Sequence, residues 1–409
     1  MKKTTGFTYL LLIFLILYSL FAFSSIKTIG APIIDGIKGN NMLFLIGIVW
    51  LFRFLFMKKT KSNLKVFISI FIAFSFAIIS FIFNKNSQSL YAVLIAFLPL
   101  LLVSTANEYE GKKFKSFLKI VTLLSIVYSL FVFLEFLSYD FFALKFSLSS
   151  TASYVTRHAT MLGTSITTSY YFILNIPFEV IAGNMLEKKW KKYTYLSIIL
   201  SVIAIIISQS RICFITLGVY FVFYFLNFNK NIKLHNKVLI ILLVSVLMVW
   251  VLNNDQLSRL YQSYGESFST ETRVNVLKIG IDEFSRHPIV GSGIATYYKR
   301  LWNSSTRFVV IHNSLSLIDP HNMFIYILVE QGLVGGFLLL ILFYNLKKDY
   351  YNPLPSFIKK NIKILLIGLI IIFCCGSQLI NEINYSVLFW TYFTFLFSYS
   401  LCERNDLHD

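Results

Sequence analysis

Twelve stretches of this chain are long enough and apolar enough to leave water. They lie near 7–24, 42–57, 66–83, 89–104, 117–138, 166–183, 193–209, 212–228, 238–252, 322–346, 364–380 and 387–401. About 20 apolar residues cross the hydrocarbon layer of a bilayer as a helix, and several of these runs sit near the lower limit. The first run, after Lys2 and Lys3, resembles a secretory leader. It is long for one and many more runs follow, so we read it as a retained first helix. Composition agrees. Only 14% of the 409 residues are charged and 56% are hydrophobic, against about 25% charged in soluble domains. The fold class expected is all-α: a polytopic membrane protein of about 12 transmembrane helices with one large outer loop that contains short helices.

The net charge of +18 would suit nucleic acid on its own. The positions of the charges point to the bilayer instead, because most sit in short clusters between apolar runs, as in cytoplasmic loops. Twelve spans put both termini on one side. Segments assigned inside hold 23 of the 37 lysines and arginines, among them Lys112, Lys113, Lys188 and Lys189. Both termini are therefore expected in the cytoplasm and the chain in the cytoplasmic membrane. The organisation that follows is an N-terminal membrane portion, 1–252, with nine helices and an outer segment near 139–165. A large outer loop, 253–320, comes next, then the last three helices within 321–409. The inner loops are short and carry no Walker loop or dinucleotide fingerprint, so energy has to come from the substrate or a gradient. Four cysteines show no metal or disulfide spacing; neither metal nor cofactor is expected.

Lysines collect inside, whereas Arg157, Arg211, Arg259, Arg273, Arg286, Arg300 and Arg307 fall outside. Lysine suffices to orient a chain, but the arginine fork pairs with phosphate in two places at once. Arginines on an outer face suit an anionic substrate at the membrane surface, such as a lipid diphosphate; headgroup contact is the plainer use of any one of them. Arg211, in Ser208-Gln209-Ser210-Arg211, sits at a tight junction between two apolar runs. Arg273 opens an expected outer helix capped by Thr270, with an apolar stripe of Val274, Leu277, Ile281 and Phe284, ended by Pro288. A cation in a first turn opposes the helix dipole, but an anion bound there meets both the arginine and free N–H groups. Gly291 and Gly293 after His287-Pro288, and Gly332, Gly335 and Gly336 further on, read as packing glycines.

Asp319-Pro320-His321-Asn322 lies where the outer loop meets the tenth run, with Asp319 or Asn322 as the cap. His321 is held there on a rigid element, suited to taking a proton from a hydroxyl. Glu330 falls within the tenth helix, off the face of His321. Arg157 and Arg286 offer further cations to the site. Glu135 and Glu179 are carboxylates within apolar runs, candidates for function or for pairing with lysine or arginine, and Pro177 places a kink near Glu179.

The order of these features resembles the O-antigen polymerase and O-antigen ligase superfamily. The residues that carry the resemblance are Ser-Gln-Ser-Arg211, Arg273-Val-Asn-Val-Leu-Lys-Ile-Gly-Ile-Asp-Glu-Phe, His287-Pro-Ile-Val-Gly291-Ser-Gly293 and Pro320-His321-Asn322 running on to Glu330-Gln-Gly332. The resemblance covers about 195–345 in motif and the whole chain in helix count. It implies a membrane glycosyltransferase, independent of metal, whose donor is a glycan on undecaprenyl diphosphate at the outer face. It also implies that Arg211 and Arg273 bind the diphosphate and that His321 activates the acceptor hydroxyl or orients the reaction. Beside these, we expect Arg157, Arg286, Asn322 and Glu330 as further substrate contacts. A repeat-unit flippase and a chain-length regulator are the partners it implies. We read the chain as the polymerase of lipid-linked repeat units, with the ligase that passes a finished glycan to lipid A core or another acceptor as the alternative. A transporter of the same lipid is the competing class, resting on Glu135 and Glu179; a scaffold is a third.

Overall fold

A computed structural model of the chain describes residues 61–84, 102–103, 112–137, 165–208, 210–228, 277–293, 309–311, 314–316, 322–375 and 383–406. The runs near 7–24, 42–57 and 238–252, most of 89–104, and the outer segment near 139–165 lie outside the described residues. Eight of the expected runs appear as helices: α1 (Lys61–Asn84), α2 (Lys112–Leu137), α3 (Ser165–Met185), α4 (Lys188–Ser208), α5 (Arg211–Phe228), α7 (Met323–Leu346), α8 (Ser356–Cys375) and α9 (Ile383–Asp406). Residues 277–286 form a further helix, α6. The strands among the described residues form an antiparallel hairpin, β1 (Val309–Ile311) with β2 (Ser314–Ser316), paired Val309 to Ser316. Three helices of the described residues are long and apolar enough to cross a membrane: Lys113–Leu137, Lys188–Ser208 and Met323–Tyr351.

The helices share a buried apolar core, but α4 and α7 also carry apolar side chains on their outer faces. α4 buries Thr194, Ser197, Ser201 and Ser208 and exposes Tyr195, Leu196, Ile199 and Ile206. α7 turns Leu333, Phe337, Leu340 and Phe343 outward. In water this arrangement would forfeit the hydrophobic effect on every exposed side chain. In lipid nothing drives apolar side chains inward, and small polar residues let helices approach and bond. These outward apolar faces thus mark an integral membrane protein.

Several helices begin or end earlier than their apolar runs. α2 starts at Lys112 and α8 at Ser356, ahead of the runs that begin near 117 and 364. The added turns carry lysines. Their aliphatic stems lie along the helix while the ammonium groups reach outward, so hydropathy reads helix as loop. In α8 this extension buries Ile358, Asn361 and Ile362.

One end of the bundle gathers these lysines. Glu187, at the α3–α4 corner, pairs with Lys119 of α2 at 3.8 Å and Lys189 at 3.2 Å, and Lys119 also lies 5.2 Å from the Trp190 ring centroid. Lys189, then Lys119, hold the Glu187 carboxyl below the usual carboxylate range. Phe114 stacks on Tyr399 at 5.1 Å and Phe117 on Phe395 at 4.6 Å, placing the end of α9 beside the start of α2. Ser400 Oγ donates to the Tyr350 carbonyl at 2.6 Å, which adds the end of α7. Tyr351 donates to the Lys359 carbonyl at 3.2 Å, which adds the start of α8. Asn345 donates to Ser69 of α1 at 2.7 Å. Five helix ends rich in lysine thus share one level.

Within the bundle, α2, α3 and α4 turn polar stripes toward one another. Tyr171, Asn175 and Glu179 follow at four-residue spacing on α3 and so line one face. They meet Ser125 of α2 and Ser197 and Ser201 of α4, all buried. Ser197 and Ser201 donate to Glu179 Oε1 at 2.7 and 3.2 Å, and Asn175 Nδ2 donates to Ser125 at 2.7 Å. The partners of Glu179 are hydroxyls rather than the lysines or arginines that pairing near a helix end would supply. Pro177 lies inside α3, which continues across it.

Candidate functional site

The end opposite the lysines holds the start of α3, the end of α4 and the start of α5, joined by a short hydrogen bond between Ser169 and Ser208. α8 packs on α5 so closely that a Cβ at Gly368 would lie 2.5 Å from the Tyr220 ring. Arg211 lies nine residues from Tyr220 and Cys374 six residues from Gly368, about 13 and 9 Å along their helices at 1.5 Å per residue. The first residue of α5 and the last turn of α8 therefore share a level. α7 starts there too, because Asn322 Nδ2 donates to the Cys374 carbonyl at 3.2 Å.

Asn322 is the cap of α7. Its Oδ1 accepts the N–H groups of Phe324 and Ile325, both at 3.0 Å. This is the capping role read from Asp319-Pro320-His321-Asn322, and it occupies both polar atoms of a side chain also expected to touch substrate. His321 precedes the cap directly. His321, Arg273 and Arg157 lie outside the described residues, as does the Arg211 side chain; Arg211 is placed as the first residue of α5. The structure thus brings the Arg211 and Asn322 positions to one end of the bundle.

Pro288 closes α6 as expected, but the face α6 buries differs from the stripe read in sequence. Ile281 is 49% exposed, while Ile279 and Phe284 pack on Val329 of α7 together with Ile325 and Tyr326. The reason lies in the segment that follows. α6 is oriented by a set of backbone bonds just past its end, and these outweigh its own apolar pattern.

That set of bonds is the most constrained feature of this end. α7 is broken at Gly332, whose φ of 63° and ψ of −168° no residue with a Cβ readily adopts. A helix broken there orphans the carbonyls of Val329 and Glu330 and the N–H groups of Leu333 and Val334, which would otherwise bond to each other. All four are met by the outer segment. Ser292 N–H donates to Val329 at 2.8 Å and Gly293 N–H to Glu330 at 2.9 Å. Leu333 N–H donates to Pro288 at 2.8 Å and Val334 N–H to Ile289 at 3.1 Å. Ser292 Oγ adds a bond to the Val329 carbonyl at 2.9 Å. Irregular backbone at membrane depth is tolerated only where protein satisfies it. Gly291 has φ of 73°, and a Cβ there would sit 2.5 Å from the Glu330 carbonyl and the Gly332 N; one on Gly332 would sit 2.4 Å from the Ile289 carbonyl.

Glu330 is buried beside the break. Arg286, at the end of α6, extends a guanidinium 3.9 Å from Glu283, and His287 Nε2 approaches the same carboxylate at 4.0 Å. Glu283 is nearly buried, whereas the Arg286 side chain is 72% exposed. The glycines read as packing residues are the ones reasoning from sequence missed. The available signal was a pair: Gly291-Ser-Gly293 after a proline and Gly332 inside an apolar helix, two places where only glycine fits if the backbones touch.

Residues 196–340 match the family described as O-antigen ligase. The match runs from α4 through α5, α6 and the outer segment to Leu340 of α7, and so contains both halves of the backbone clamp. No curated protein matches the chain.

Proposed function

From the O-antigen ligase match, which supports the O-antigen polymerase and ligase superfamily and a membrane glycosyltransferase-like activity on a lipid-linked glycan, we propose that the chain polymerises repeat units carried on undecaprenyl diphosphate at the outer face of the cytoplasmic membrane. The observation that carries the reading is the span of that match over the end where α5 and α7 begin.

The reaction breaks the bond between the anomeric carbon and the diphosphate oxygen and forms one to an acceptor hydroxyl oxygen, with inversion. Negative charge develops on the departing diphosphate. Arg211 and Arg273 hold it with donors set in place beforehand, which stabilises charge where it appears in the transition state. His321 takes the acceptor proton. The α7 cap and the tether from Asn322 to Cys374 fix the backbone beside His321, and the clamp holds α6 against α7. Arg286 and Arg157 contact phosphate or the glycan, and Glu330 positions the substrate side of α7. The lysine-rich end faces the cytoplasm with both termini, and a repeat-unit flippase and a chain-length regulator work upstream and alongside.

The test is deletion of the gene followed by restoration with wild type, His321→Ala or Arg273→Ala at matched expression, with surface and lipid-linked glycans sized on a gel. Single repeat units without long chains identify the polymerase. Long chains stranded on the carrier identify the ligase. Wild-type patterns from both variants would remove the catalytic assignment and favour a transporter or a scaffold.

A further inference from the structure

Pro288, Ile289 and Val290 follow one another in a turn and are all exposed, Ile289 at 63% and Val290 at 45%. α6, just before them, turns a different face outward. Its exposed residues are Lys278, Ile281, Asp282, Ser285 and Arg286, a mainly polar set that suits water. The turn itself carries no charge.

A single exposed apolar residue is ordinary, but these continue a larger surface. The Leu333 and Val334 N–H groups donate to the Pro288 and Ile289 carbonyls, which holds the turn against α7. Leu333 heads a stripe of Leu333, Phe337, Leu340 and Tyr344, all exposed and spaced at three and four residues, so they share one face. On a helix long and apolar enough to cross a membrane, such a face meets lipid. The turn therefore sits at the head of a lipid-facing stripe.

Depth agrees. Gly332 precedes Lys347, at the lysine-rich end, by 15 residues, a rise of about 22 Å that tilt only shortens. The hydrocarbon layer is about 30 Å thick. With the lysines at one edge, the break and the turn clamped to it lie inside the other. Backbone can lie there only with its polar groups met. Pro288 has no N–H, its carbonyl and that of Ile289 accept from α7, and the Gly291 N–H donates back to the His287 carbonyl at 3.0 Å.

We propose that the Pro288–Val290 turn is inserted among the hydrocarbon chains of the bilayer phospholipids, at the membrane edge away from the lysines, as an anchor that continues the lipid-facing stripe of α7. Water begins at the polar face of α6. This rests on the membrane reading of α7 and not on the reaction proposed above, so it can hold or fail without deciding that reaction.

The test uses the wild-type chain in nanodiscs of phosphatidylglycerol and phosphatidylethanolamine, with no polyprenyl lipid. One sample is labelled by a lipid-soluble diazirine and another by hydroxyl radicals from water, and both are read residue by residue by mass spectrometry. Ile281 is the control: the same residue type as Ile289, also exposed, but on the polar face of α6. The diazirine is expected to label Ile289 and Val290 about tenfold or more above Ile281, the factor by which lipid concentrates a reagent worth about two methylene groups or more. Hydroxyl radicals are expected to reverse the order. Hydroxyl labelling of Ile289 and Val290 equal to that of Ile281 overturns the proposal, because the turn is then wet. Absence of both labels overturns it too, because protein then covers the turn. A benzophenone amino acid in place of Val290 identifies the neighbour. A phospholipid adduct is expected; an adduct only to this chain or to a second copy overturns the proposal. Should that variant fail to accumulate, the wild-type labelling decides alone.

Discussion

α3 and α7 each carry polar groups through an apolar layer, and they solve the problem in opposite ways. α3 keeps its helix across Pro177 and presents a carboxyl one of whose oxygens is held by hydroxyls of α4. α7 gives up its helix at Gly332 and presents orphaned backbone, which the backbone of the outer segment satisfies. Side-chain satisfaction leaves room for alternatives, because a hydroxyl can be replaced. Backbone satisfaction leaves little, because the distance between two chains is set by the absence of any Cβ between them. The first region should therefore degrade by steps and the second should fail at once.

The largest effect is expected at the break. Gly332→Ala meets a conformation that costs a side chain about 1–3 kcal/mol. Its Cβ also collides with Ile289, and parting the two backbones leaves four polar groups unmet at several kcal/mol each in an apolar layer. Gly291→Ala should behave alike. Fluorescence-detected size-exclusion profiles should show loss of the folded species for both; a folded, active variant at either position would mean that the outer segment does not need this contact. The double replacement Ser197→Ala and Ser201→Ala should lower stability by about 1–2 kcal/mol, near the usual value for each bond between membrane helices, while the protein still folds. Collapse there instead would erase the contrast. Asn322→Ala should cost about 1 kcal/mol through loss of the cap. Asn322→Asp keeps the cap and loses only the donor to Cys374, so its melting curve should fall between wild type and alanine. Ser292→Ala should cost about 0.5–1 kcal/mol, because the Ser292 N–H still serves the same carbonyl. The smallest effect is at Glu187, whose pairs with Lys189 and Lys119 are exposed to solvent. With its carboxyl held below the usual range, any contribution is complete at neutral pH and fades as pH falls through that lowered range. Glu187→Gln should leave melting at pH 7 unchanged.

How much of this was legible in sequence follows from what each signal measures. Apolar run length marked α1 to α5 and α7 to α9, because crossing a lipid layer takes a minimum number of apolar residues whatever the packing. It misplaced the lysine-bearing ends of α2 and α8, where a charged tip hides an aliphatic stem. The cap at Asn322 and the stop at Pro288 were legible because they depend on residues a few positions apart. The clamp was not, because the two halves are separated by 37 residues at Ser292 and Val329 and each alone looks like a packing glycine. Likewise the rotation of α6 follows from bonds beyond its end, so Ile281 faces outward despite its place in the stripe. The hydroxyls of Ser125 on α2 and of Ser197 and Ser201 on α4 are present in the sequence, yet only the packing of the helices shows that they meet Glu179. Arg211 is placed at a level in the bundle shared with the start of α7; the catalytic expectations for Arg211, Arg273 and His321, and the substrate-binding one for Arg157, stand on the sequence and the family resemblance.

The clamp also has a bearing on biosynthesis. Residues 288–293 leave the ribosome before α7 does, and their donors and acceptors have no counterpart until the Gly332 break arrives. α7, for its part, is an apolar stretch whose break has its backbone groups met only when residues 288–293 lie against it. The clamp therefore closes only once α7 has been made, so this end of the protein is completed late. A truncation that ends before Val334 would leave residues 288–293 without part of their counterpart.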